Sequence, residues 1–82
     1  MPTVIIIDGI RIEIYTNDHP PPHFHVKAGL MRAKFDIATG KLLQGGLDKR
    51  SMRKVQRWME FNGNLLMQVW TNSRPGPTTT KS

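Results

Sequence analysis

The chain contains no cysteine. That excludes a disulfide framework and a thiolate metal site, two devices that often supplement a small core. Long hydrophobic runs are also missing: none approaches the eighteen or more residues that a membrane span requires. The opening Met1-Pro2-Thr3 leads straight into a short apolar run, without the basic segment and cleavage pattern of a secretory signal. The expectation is a cytoplasmic protein with no membrane partner. Carboxylates are scarce as well, six Asp+Glu against twelve Lys+Arg, for a formal net charge of +6 and a pI near 10.4. In so short a chain this imbalance points to an anionic partner, either nucleic acid or an acidic protein. Eighty-two residues suffice for one domain. A domain of that size buries roughly 60–65% of the surface of its unfolded chain.

What is present reads first as a sheet. Val4-Ile5-Ile6-Ile7 is an unbroken β-branched run, the mark of a strand covered on both faces or central in a sheet. Asp8-Gly9 follows, and between two strand-like runs that pair predicts a type I′ hairpin turn. Ile10 to Tyr15 alternates, with isoleucines to one side and Arg11, Glu13 and Tyr15 to the other. Further on, Phe24, Val26 and Ala28 are expected inward, with His23, His25 and Lys27 outward. After a turn near Gly29-Leu30, Met31, Ala33, Phe35 and Ile37 are expected inward, with Arg32, Lys34 and Asp36 outward. Ala38-Thr39-Gly40 turns the chain again, and Lys41-Leu42-Leu43-Gln44 suits a short edge strand. The sheet is antiparallel, of four or five strands, with one solvated face.

The period then changes. Gly45-Gly46 ends the strand pattern and Asp48 is placed to cap a helix. Met52, Val55 and Met59 share one stripe, with Trp58 at its margin. Arg50, Arg53, Lys54 and Arg57 lie opposite. Asn62-Gly63 interrupts the pattern, so Leu65, Leu66, Val69 and Trp70 are expected in a second short helix or a kinked continuation. Residues 1–71 thus form one domain, and 72–82 have the composition of a disordered tail.

The stretch richest in chemistry is Asn17-Asp18-His19-Pro20-Pro21-Pro22-His23-Phe24-His25-Val26, which holds all three histidines. Three prolines in a row read as an extended polyproline arm. His23 and His25 fall on one side of the strand that follows, about 7 Å apart. Three roles are open to the block. Asp18, His19, His23 and His25 could hold a divalent metal such as zinc, nickel or iron as cofactor. Alternatively the imidazoles bond backbone carbonyls left over by the prolines. Or His23 and His25 transfer protons or contact phosphate, because histidine titrates close to neutral pH.

The outward face as a whole collects cations. Metal-independent cleavage of RNA through its 2′-OH needs a base, an acid and a cation on the phosphate. His23, His25 and Glu13 are the candidates for proton transfer, and Arg11, Lys27, Arg32 and Lys34 for phosphate contact. An ordinary solvated face explains the same alternation. The helix stripe of Arg50, Arg53, Lys54 and Arg57 could follow a phosphate backbone, or serve only as the exposed side of a helix.

Several of these segments together resemble one small bacterial family, the domain of unknown function 4160. They are the opening Met1-Pro2-Thr3, the block from Asn17 to Val26, Ala33 to Ile37, Lys49-Arg50 and the terminal Trp70, spanning roughly residues 1–70. The resemblance implies a toxin-like component of a toxin–antitoxin pair, with a small partner protein encoded alongside. This chain departs from the family pattern by carrying Lys27, Arg57, Asn62, Asn64 and Gln68 where the family tends to be acidic. The expectation that results is an α+β protein whose C-terminal helical segment packs on the apolar face of the sheet. It acts on or binds RNA, favoured over DNA, through a basic, histidine-containing face. A cognate acidic partner is expected, and a homo-oligomer is compatible with the sequence. The alternative is a non-enzymatic module, either a DNA-binding regulator that uses the helix or an adaptor for a small acidic protein.

Overall fold

A computed structural model of the chain describes residues 3–15 and 19–72. The strands are β1 (Thr3–Ile7), β2 (Ile10–Ile14), β3 (His23–Ala28), β4 (Met31–Asp36) and β5 (Leu42–Gly45), followed by helix α1 (Lys49–Asn72). Each strand pairs antiparallel with the next, in the spatial order β1-β2-β3-β4-β5. This is the expected α+β architecture. No helix among the described residues is long and apolar enough to cross a membrane.

Turn chemistry sets the register. Asp8 and Gly9 have φ of 47° and 77°, the two positive values that a type I′ turn requires, and Ile7 pairs with Ile10. Gly29 supplies the single positive φ in the Gly29-Leu30 turn, which puts Ala28 opposite Met31. Asp36 closes the next loop: its backbone carbonyl accepts from the Gly40 N–H and its side chain from the Thr39 N–H, each at 2.9 Å. The three prolines do not form an extended arm. The chain bends at Pro20 and Pro21, the peptide bond between them is cis, and the Pro22 carbonyl accepts from the Ile37 N–H at 2.9 Å. The prolines are thereby fastened to the end of β4.

One face of the sheet makes the core. Ile10, Ile12, Ile14, Phe24, Val26, Ala33, Phe35 and Ile37 are buried there with Val55, Leu66 and Trp70 of the helix. Phe24 and Phe35, directly opposite in register, stack with ring centroids 5.5 Å apart. Helix α1 starts where Asp48 predicts. The Asp48 carboxylate accepts from the Ser51 backbone N–H at 3.1 Å, and hydrogen bonds from Ser51, hydroxyl first, hold it below its ordinary pKa.

Three further expectations need correction. The run Val4 to Ile7 is an edge strand rather than a central one, with Val4 and Ile6 exposed and Ile5 and Ile7 half-buried. A β-branched run reports strand preference, and packing alone decides where in the sheet the strand lies. Met31 is exposed because it sits beside the turn, beyond the reach of the helix. Finally, α1 runs unbroken through Asn62-Gly63 as a single helix. A mid-helix glycine costs only about 1 kcal/mol relative to alanine. Burial of Val55 before it and of Leu66 and Trp70 after it, on one continuous stripe, outweighs that cost. The helix also takes in Asn72, while the remainder of the expected tail, 73–82, lies outside the described residues.

The last helical turn is therefore part of the core. Of the two tryptophans, Trp70 is 5% exposed and Trp58 half-buried. Trp70→Ala should destabilise the protein by about 3–5 kcal/mol, the range of large-to-small aromatic changes in cores. Chemical denaturation checks this, and an unchanged midpoint would place the end of α1 outside the core.

Candidate functional site

The strand register brings the outward side chains into two cross-strand rows. Glu13 lies opposite His25, His25 opposite Lys34, and Lys34 opposite Gln44. Arg11 lies opposite Lys27, and Lys27 opposite Arg32. The rows are two residues apart along each strand, so they share one face. The helix covers the other face.

Glu13 joins the rows. At 3% exposure it is the buried acid among the described residues. The Tyr15 hydroxyl donates to Oε1 at 2.5 Å and Arg11 Nε donates to Oε2 at 2.6 Å. Lys27 Nζ stands 3.7 Å from Oε1. The Tyr15 hydrogen bond is the largest influence holding the Glu13 carboxyl below its ordinary pKa. Burial acts upward but is outweighed once the hydrogen bond and charge of Arg11 and the charge of Lys27 are added. The same bond pushes the Tyr15 hydroxyl up, because losing its proton would set a phenolate against a carboxylate. Glu13 is thus an ionised clamp at the centre of the face.

The histidines part company. His25 stands edge-on to Tyr15, ring centroids 4.9 Å apart, and His23 lies 5.2 Å beyond it. His23 in turn lies 5.2 Å from Trp70, so a row of four rings links the outer face to the end of the helix. His23 is buried, with Nδ1 2.7 Å from the Pro21 carbonyl oxygen. A carbonyl only accepts, so Nδ1 carries the proton in that bond. His23 braces the proline bend as the carbonyl-bonding alternative describes, whereas half-buried His25 remains on the face with the cations. His19 is exposed, and Asp18 lies outside the described residues. Among the described residues, no three His, Cys, Asp or Glu side chains are grouped as metal ligands.

Two adjoining depressions cross the face. One, of about 360 Å³, is lined by Glu13, Tyr15, His25, Lys27 and Arg32 among others. The second, of about 250 Å³, continues past His25 and Arg32 to Lys34 and Gln44. Arg32 and Lys34 have no ion-pair partner among the described residues. The helix cations are elsewhere. Arg50, Arg53 and Arg57 are exposed on an element that packs against the opposite face, and Lys54 pairs with Asp8 Oδ2 at 3.5 Å. The two basic sets expected from the sequence do not form one surface. Sequence reasoning placed Tyr15 on this face but missed its bond to Glu13. The signal was the two-residue spacing, which puts both side chains on one side of β2.

Two consequences can be measured. Glu13 has a lowered folded-state pKa, so its contribution is fully present above its ordinary pKa of about 4.5 and is lost as pH falls through the folded value. Urea midpoints should drop below about pH 4.5 in the native protein, and the drop should be shallower in Glu13→Gln. Equal slopes would show that Glu13 carries no linked stability. His23→Ala removes a buried ring and a hydrogen bond, and should cost about 2–4 kcal/mol. A melting temperature unchanged in that variant would rule out the bracing role.

No match is found among curated proteins or among solved structures. A family model described as "Domain of unknown function (DUF4160)" matches residues 9–71. That span runs from the β1–β2 turn to the end of the helix and takes in every residue of both rows. The chain belongs to the DUF4160 family.

Proposed function

We propose that this protein binds nucleic acid, RNA in preference to DNA, through the outer face of its sheet. The observation that carries the reading is the row Arg11–Lys27–Arg32. Like charges directly opposite across strands destabilise a sheet. Glu13 offsets two of them, Arg11 and Lys27, while Arg32 and neighbouring Lys34 have no ion-pair partner among the described residues. Four cations around one acid suit a phosphate backbone, which such a row would neutralise. The open depressions along β2–β5 suit an extended single strand, and the Tyr15 and His25 rings beside them suit base contact. Arg11, Lys27, Arg32 and Lys34 are the phosphate contacts in this reading, and His25 is the candidate for proton transfer.

The wider role we infer is that of the toxin-like component of a bacterial two-gene module, acting in the cytoplasm and held in check by a small acidic partner. Its support is the resemblance drawn from the Asn17–Val26 block and the basic face itself.

Binding to a single-stranded RNA should weaken steeply with salt. About four phosphate contacts imply a slope of log K against log salt of roughly −3. Lys27→Ala with Arg32→Ala should flatten that slope by about 1.4, while Arg50→Ala, Arg53→Ala and Arg57→Ala together should leave it in place. The opposite pattern would overturn the sheet-face reading in favour of a helix-led DNA regulator. Cleavage of the RNA in metal-free buffer, lost in His25→Ala, would extend the reading to a ribonuclease.

A further inference from the structure

We infer that the free edge of β1, with the groove between β1 and α1, is a docking site for an extended acidic segment of a partner protein. The inference does not rest on RNA binding. It supplies the surface on which the acidic partner proposed above would act.

A meander of five strands has two edges, and this one protects them unequally. Edge strands are ordinarily blunted by lysine, proline, bulges or shortness. At one edge, β5 has four residues and an irregular register against β4 between Lys34 and Phe35. At the other, β1 pairs with β2 at all five positions without a break. Its sequence, Thr3-Val4-Ile5-Ile6-Ile7, contains neither a charge nor a proline. Ile6 is 65% exposed. Such an edge is a template for another strand.

Beside it lies a groove of about 450 Å³ whose apolar lining is Ile7, Trp58 and Phe61. Phe61 is 78% exposed, an unusual position for a large aromatic ring on a small basic protein. Lys54 and Arg57 stand over the same groove. The one carboxylate there, Asp8, is taken by Lys54, which leaves Arg57 without an ion-pair partner among the described residues.

These features select among occupants. A second copy paired through β1 would bring a chain of net charge +6 against another and add cations to a groove that already holds two. Nucleic acid cannot continue a ladder of backbone N–H and C=O groups. A polypeptide strand can, through main-chain bonds to the edge and side chains in adjacent pockets. Its apolar side chains would continue the face formed by Ile5 and Ile7, with one of them reaching Trp58 and Phe61. Carboxylates at the end nearest Ile7 would meet Arg57.

The test uses the full chain and a fluorescein-labelled octapeptide, Glu-Val-Thr-Val-Glu-Phe-Asp-Glu. Anisotropy should show saturable binding that weakens at least about tenfold, equivalent to about 1.4 kcal/mol, in Phe61→Ser and again in Arg57→Glu. Both side chains are exposed, so neither variant endangers the fold. The same peptide N-methylated at successive residues, so that neither edge keeps its donors, retains its side chains but cannot join a ladder, and should not bind. Absence of binding at about 1 mM peptide overturns the inference. So does equal binding of the N-methylated peptide, or a homodimer in sedimentation that Ile6→Lys dissolves. The salt slope for RNA, measured on Phe61→Ser, should be unchanged, so a failure here is separable from a failure of the sheet-face reading.

Discussion

Five strands in one sheet present two faces, and the described chain offers a single helix to cover them. Everything else follows from that shortage. The helix takes the face of Ile12, Ile14, Phe24, Val26 and Phe35, and sets Val55, Leu66 and Trp70 into it. The other face meets water and carries four cations, Arg11, Lys27, Arg32 and Lys34, with Val4 and Ile6 exposed at its β1 margin. Even on the covered side the helix does not reach far. Ile5 and Ile7 at one edge are half-buried, and Leu42 at the other is exposed.

On the uncovered face, a buried carboxylate does the work that a hydrophobic core does on the other. Glu13 gathers Arg11, Tyr15 and Lys27 into one hydrogen-bonded and charged unit. Removing one partner would leave the rest with an unsatisfied buried charge, which costs more than the bond itself contributes. The arrangement also limits chemistry. A carboxylate whose two oxygens already accept a hydroxyl and a guanidinium is better suited to holding cations in position than to taking a proton from a substrate. His25, one position across the ladder, faces the open depressions instead.

Much of this was legible in the residues. Asp8-Gly9 announced the first hairpin, the alternation of Ile10 to Tyr15 assigned its faces, and Asp48 marked the helix start within one residue. Those signals are local: a turn or a cap is decided by atoms a few positions apart. What was misread depends on distant contacts. The continuity of α1 past Gly63 depends on what Leu66 and Trp70 pack against. The edge position of β1 depends on where the other strands go. In the candidate site, the membership of Arg11, Lys27, Arg32 and Lys34 in one surface was visible from period two. The burial of Glu13 and the division of labour between His23 and His25 were not. Both depend on partners brought by register and by the end of the helix, and the separation of the helix cations from the sheet cations depends on which face the helix chose.

The order of elements has a consequence for how the protein is made. The strands form a meander, so each can pair with its predecessor as soon as it leaves the ribosome, and the sheet is complete by Gly45. The residues that seal its apolar face come afterwards, Val55 first and Trp70 near the end of the helix. During that interval a nascent chain displays Ile12, Phe24 and Phe35 with nothing over them, the kind of surface that aggregates or recruits a chaperone. Translation that stalls before Trp70 would release a finished sheet without its lid. Closure of the apolar face therefore waits for the last turn of α1, where Trp70 lies.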